Sequence, residues 1–83
     1  MRTEKDLKEL VDQINMASGS PAKPWNETGA NIGNYHLSAA YGGWQLQRMT
    51  NIHGGIHAIT SGYVSKREMY IHLKSFLNGI ESV

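Results

Sequence analysis

Residues 34 to 50 carry two stretches of period two on either side of Gly42-Gly43, a pattern that few arrangements other than a β-hairpin can satisfy. In Tyr35-His36-Leu37-Ser38-Ala39-Ala40-Tyr41 the large or apolar residues take the odd positions, as in a strand with one buried face. Two glycines tolerate the positive φ of a type I′ or II′ turn, so the returning strand is Trp44-Gln45-Leu46-Gln47-Arg48-Met49-Thr50. With Gly42-Gly43 as the loop, Tyr41 pairs with Trp44, Ala39 with Leu46, Leu37 with Arg48 and Tyr35 with Thr50. One face then gathers Tyr35, Leu37, Ala39, Tyr41, Trp44 and Leu46. The other shows His36, Ser38, Ala40, Gln45, Gln47 and Met49.

A third strand is expected over residues 55–60, where Gly55-Ile56-His57-Ala58-Ile59-Thr60 is rich in β-branched residues. Its register depends on the preceding loop. Three or five loop residues turn Ile56, Ala58 and Thr60 inward; four bury His57 and Ile59 instead. The first arrangement is favoured, with Ile56 and Ala58 inward.

Helices flank this meander. Over residues 3–17, Leu7, Leu10, Val11, Ile14 and Ala17 recur with helical spacing, Thr3 and Asp6 stand three apart as a cap pair, and Ser18-Gly19 ends the helix. Over 65–79, Ser65 and Glu68 form an S-x-x-E capping box, Val64 and Met69 staple the entry, and Gly79 stands as the residue beyond the end. Its stripe is Met69, Tyr70, Leu73, Phe76, Leu77 and Ile80. Residues 18–33 show no period and read as loop. Within them Trp25 either plugs the open end of the core or anchors a partner. The expected fold is therefore α+β, a single domain of order α-loop-β-β-β-α, with a three-stranded antiparallel meander and both helices on one face.

At 83 residues the chain buries a modest core, and a sheet with one uncovered face has edges open to pairing, so a homo-oligomer is expected. Cysteine is absent, no apolar run reaches the length of a membrane span, and the opening Met1-Arg2-Thr3-Glu4-Lys5-Asp6 is charged rather than a signal peptide. A cytoplasmic protein with no membrane partner is expected. The net charge of +1 argues against a dedicated nucleic-acid binder.

No H-x-x-x-H, H-E-x-x-H, nucleophile-elbow or phosphate-loop pattern appears, so no enzyme, metal or cofactor is expected. A His36-Met49-His57 row across the sheet would place its outer members about 9.6 Å apart, too far to share an ion. Two binding regions remain. At the start of the second helix, free amide groups, the Ser65 hydroxyl, Lys66 and Arg67 suit an anion; Arg48 is expected to join them, with Tyr63 or Trp44 available for a base to stack upon. The polar sheet face, with His36, Gln45, Gln47, Met49 and either His57 or Ile56, together with the Trp25 loop, suits a protein partner.

The segments Tyr41-Gly42-Gly43-Trp44-Gln45-Leu46-Gln47-Arg48, Asn51-Ile52-His53-Gly54-Gly55, Ser65-Lys66-Arg67-Glu68-Met69-Tyr70 and Phe76-Leu77-Asn78-Gly79-Ile80 resemble a group of small uncharacterised proteins of tailed bacteriophages and prophages. The resemblance covers about residues 31 to 80 and brings no catalytic or ligand residues with it. It implies a protein acting in the host cytoplasm, one that inhibits a bacterial defence protein or sequesters a small nucleotide or other anionic signal. Two alternatives stand beside that reading. A nucleic-acid-binding regulator would use Lys66, Arg67, Arg48 and Lys74, and a virion assembly component would use the polar face and the Trp25 loop.

Overall fold

A computed structural model describes residues 3–82. Its elements run α1 (Glu4–Ser18), β1 (Trp25–Asn26), β2 (Gly29–Ala30), β3 (Tyr35–Ala40), β4 (Gly43–Met49), β5 (Ile56–Ala58) and α2 (Lys66–Glu81). The fold is α+β, with an antiparallel sheet of order β3-β4-β5 and a separate β1-β2 hairpin. Both helices pack against each other and against one face of the larger sheet. The core is built from Leu7, Leu10, Val11 and Ile14 of α1, Tyr35 and Leu46 of the sheet, and Met69, Leu73 and Leu77 of α2. None of the described helices is long and apolar enough to cross a membrane.

Helix α1 starts on a complete capping box, in which Asp6 N–H donates to Thr3 Oγ1 and Thr3 N–H donates to Asp6 Oδ2 at 2.9 Å. It ends at Gly19, whose left-handed backbone lets its N–H reach back to the last carbonyls. Helix α2 starts at Ser65, which accepts from Glu68 N–H at 3.2 Å, and it continues through Gly79 to a cap at Ser82. Gly79 is therefore an interior residue and not the stop its position suggested.

The hairpin register differs from the expected one. Ala40 pairs with Gly43, Ala39 with Trp44, Leu37 with Leu46 and Tyr35 with Arg48, so the turn residues are Tyr41 and Gly42, at φ 54° and 72°. Gly43 has another task. A Cβ there would lie 3.0 Å from the carbonyl oxygen of Val64, because the segment before α2 crosses closely and pairs Val64 with Trp44. The second glycine serves this close approach, and Tyr41 takes the left-handed position at a cost of about 1–2 kcal/mol.

The third strand also differs. Gln47 pairs with Ala58, Arg48 with His57 and Met49 with Ile56, while Thr50 N–H donates to Gly55 C=O, which leaves the four-residue loop 51–54. The face assignment is thereby reversed: Ile56 and Ala58 share the outer face with Gln47 and Met49, and His57 lies across from Arg48 on the helix side. Ile59 packs against the core, tied by its N–H to Leu46 C=O at 2.8 Å.

In α1 the stripe continues through Asn15 where a purely apolar count expected Ala17. Ala17 is exposed, whereas Asn15 is 2% exposed and binds the backbone of β3 twice. Its Nδ2 donates to Tyr35 C=O at 2.9 Å and its Oδ1 accepts from Tyr35 N–H at 2.8 Å. These groups point away from β4, so the amide stands in for a neighbouring strand. Removing it strands two buried backbone groups, which costs far more than one exposed hydrogen bond is worth. Asn15→Leu is expected to lower the unfolding free energy by about 2–4 kcal/mol in urea titrations, against less than about 0.5 kcal/mol for the exposed control Gln13→Leu.

Candidate functional site

The feature that sequence periodicity did not reveal is the ordering of residues 20–34 by asparagine side chains. Asn34 is fully buried and donates from Nδ2 to Pro21 C=O at 2.8 Å. Asn31 donates from Nδ2 to Lys23 C=O at 2.9 Å, while its backbone N–H donates to Pro24 C=O at 2.8 Å. Asn26 Oδ1 accepts from Thr28 N–H at 2.8 Å and Gly29 N–H at 3.1 Å, and its Nδ2 donates to Asn31 Oδ1. A short amide side chain can mimic a peptide group, so a loop rich in asparagine orders itself without apolar burial.

The result is the β1-β2 hairpin, with Trp25 opposite Ala30 and Asn26 opposite Gly29. It docks on the loop between β4 and β5: Ala30 N–H donates to Ile52 C=O at 2.9 Å, and that loop is itself closed by Asn51 Oδ1, which accepts from His53 and Gly55 N–H. The six-membered ring of Trp25 rests on Gly54, where a Cβ would stand 2.6 Å from Cη2. Even so, Trp25 is 54% exposed and takes no part in the core cluster. The core-plug alternative for Trp25 is thus replaced by an indole held at the surface, with Ile52 exposed beside it.

The polar sheet face is partly as expected. His36 lies over Gln47, with Nε2 3.1 Å from Gln47 Oε1 and Nδ1 3.3 Å from Asn34 Oδ1, and Gln47 Nε2 donates to Gln45 Oε1 at 2.8 Å. These four residues, Asn34, His36, Gln47 and Gln45, form a connected network. Met49 shares their face but is only 4% exposed, and His57 lies on the opposite face, so neither extends that surface. The His36-Met49-His57 row does not form. Among the described residues no group of three His, Asp or Glu side chains is placed to hold a metal ion.

At the start of α2, Ser65, Lys66 and Arg67 are exposed together, and the Ser65 hydroxyl is the cap acceptor for Glu68. Arg48 is elsewhere. Its guanidinium sits 5.0 Å from the centre of the Tyr35 ring, its Nε donates to Gly33 C=O at 3.3 Å, and Tyr35 in turn contacts Phe76, eleven residues along α2. At about 1.5 Å per residue that is roughly 16 Å from the helix start. Tyr63 and Trp44 separate in the same way: Tyr63 Oη lies 3.2 Å from Ser38 Oγ on the outer face and its ring packs edge-on with Tyr41, whereas Trp44 packs against the core from the other side. The expected six-residue anion site thus divides: Ser65, Lys66 and Arg67 stay together, Trp44 and Tyr63 lie beside them in the chain path but turn their rings to opposite faces of the sheet, and Arg48 is elsewhere.

Comparison with protein-family models, with curated proteins and with solved structures gave no match.

Gly54 is the contact that sets the position of the indole. Gly54→Ala adds a Cβ within 2.6 Å of the ring at a position of φ 89°, so it is expected to displace Trp25 while sparing the helices. In a Trp44→Phe background, Trp25 emission should shift to the red and its quenching by iodide should rise, with far-ultraviolet circular dichroism unchanged. An unaltered spectrum would contradict the packing of the indole on Gly54.

Proposed function

We propose that the chain is a non-enzymatic binding module of the phage type, directed at a host protein, and that the hairpin presenting Trp25 is its anchor. The observation that carries this reading is an aromatic side chain that stays exposed while hydrogen bonds tie down the backbone that presents it. A large apolar ring left half in water brings little to stability, yet Asn26, Asn31, Ile52 and Gly54 hold its backbone and one face in a fixed arrangement. An aromatic residue ordered before its partner arrives loses little entropy on binding, which is the usual character of an interface hot spot.

A protein target is favoured over a small anion because the cations available for an anion do not converge. Lys66 and Arg67 lie together in solvent, while Arg48 is occupied with Tyr35 and Gly33 some distance away. The host-directed part of the reading rests on the resemblance to small phage proteins carried by the hairpin and the second helix.

The reading predicts that Trp25→Ala leaves the chain folded and lowers the unfolding free energy by only about 1–2 kcal/mol, the share of the ring that is covered against Gly54. Affinity for the host protein recovered by affinity purification from infected cells should fall about thirtyfold or more, the equivalent of about 2 kcal/mol for a central aromatic anchor. Equal recovery of the same protein by the parent and by Trp25→Ala would contradict it.

A further inference from the structure

The open edge of β3 offers a second binding surface, distinct from the Trp25 hairpin. In the β3-β4 register, His36, Ser38 and Ala40 direct their N–H and C=O groups toward β4, whereas Tyr35, Leu37 and Ala39 direct theirs outward. Asn15 satisfies the outward pair of Tyr35. Among the described residues nothing bonds the outward pairs of Leu37 and Ala39. Edge strands are commonly protected by charge, proline or a bulge, yet Tyr35-His36-Leu37-Ser38-Ala39-Ala40 carries no proline, lysine or carboxylate, and its pairing is unbroken.

Beside this edge runs a groove of about 430 Å3, bounded by Lys8, Val11 and Asp12 of α1, Leu37 and Ala39 of β3, and Pro24. Its floor is apolar, and its rim carries Glu4, Lys8 and Asp12. Glu4 pairs with Lys8 at 3.3 Å, which leaves Asp12 without an ion pair among the described residues. We propose that this groove receives an extended peptide segment of a partner protein, which adds to β3 as a fourth strand, pairs with Leu37 and Ala39, turns one or two apolar side chains toward Val11 and Pro24, and places a lysine or arginine against Asp12. Strand addition of this kind obtains affinity from main-chain hydrogen bonds and selectivity from alternate side chains. Four such bonds are open, and Asn15 marks where the pairing stops. A segment of about five residues spans the open part of the edge at about 3.4 Å per residue.

A second copy of this chain fits less well. It would bring its own α1 alongside its own β3 edge, and two helices would then compete for the space above one seam, whereas an isolated extended segment has no such bulk.

The test is selection of a randomised heptapeptide library on the whole chain, followed by calorimetry with the enriched peptides made synthetically. Enriched sequences should alternate apolar residues with a lysine or arginine. Ala39→Pro removes one outward N–H without breaking a bond to β4, so it should weaken their binding at least tenfold while leaving the melting temperature nearly unchanged. Asp12→Lys, an exposed change that leaves the fold alone, should weaken binding about three- to tenfold. Trp25→Ala should leave it unchanged, which separates this groove from the anchor above. Enrichment of no sequence, or equal binding of the enriched peptides to Ala39→Pro, would overturn the proposal. So would light scattering that shows a dimer of the parent chain converted to monomer by Ala39→Pro, since a second copy would then own the edge.

Discussion

The two hydrogen bonds between the Asn15 amide and the Tyr35 backbone join the first helix to the sheet at a point where an apolar contact could not. An α-helix has no free backbone groups along its length with which to satisfy a strand edge, so a helix packed beside one needs a side chain that presents a donor and an acceptor together. Asn15 does this from a position 2% exposed, with distances of 2.9 and 2.8 Å. Leu7, Leu10, Val11 and Ile14 then have a fixed register against α2 and the inner sheet face. Tyr35, held at its backbone, orients its ring toward Phe76 on one side and Arg48 on the other.

The same chemistry, repeated, converts the long connection after α1 and the loop between β4 and β5 into structure. Asn26, Asn31, Asn34 and Asn51 each satisfy backbone groups that a compact loop would otherwise leave unpaired. A chain this small has little apolar surface to spend on ordering loops, and amide side chains offer a local substitute. What they hold in place is an aromatic side chain in solvent. That order without burial is the feature on which the proposed anchor role of Trp25 rests.

Much of the architecture was legible because helices and strands have different periods. The α1 stripe from Leu7 to Ile14, the capping box at Thr3, the Ser65 half of the second cap and the division of the hairpin into two faces all follow from spacing and reappear in the structure. Among the described residues, however, the Glu68 side chain makes no return bond to Ser65, and Ala17 is exposed. The face division survived an error in the turn for a geometric reason: moving the turn back one residue shifts every cross-strand partner by two, and a shift of two preserves sidedness. The misplaced turn traces to Gly43, whose lack of a side chain serves the crossing of Val64 and not the bend. In the third strand the loop length itself was undetermined by sequence, and the error of one residue exchanged Ile56 with His57. Periodicity was silent on Asn15, a polar residue in an apolar stripe, and on the β1-β2 hairpin, whose strands of two residues are too short to show a period. The expected anion site gathered residues that are close to α2 in different places: Arg48 lies along its later turns, and Trp44 and Tyr63 lie on opposite sides of the sheet.

The account places Asn15 at the boundary between a closed and an open part of one strand edge. Amide hydrogen exchange of the unliganded chain, resolved by residue, tests this most directly. The Tyr35 amide, bonded to the Asn15 side chain and buried, should be protected close to the level of global unfolding, while the amides of Leu37 and Ala39, two and four residues further along the same edge, should exchange orders of magnitude faster. Protection of all three to the same degree, or rapid exchange at Tyr35, would contradict the account.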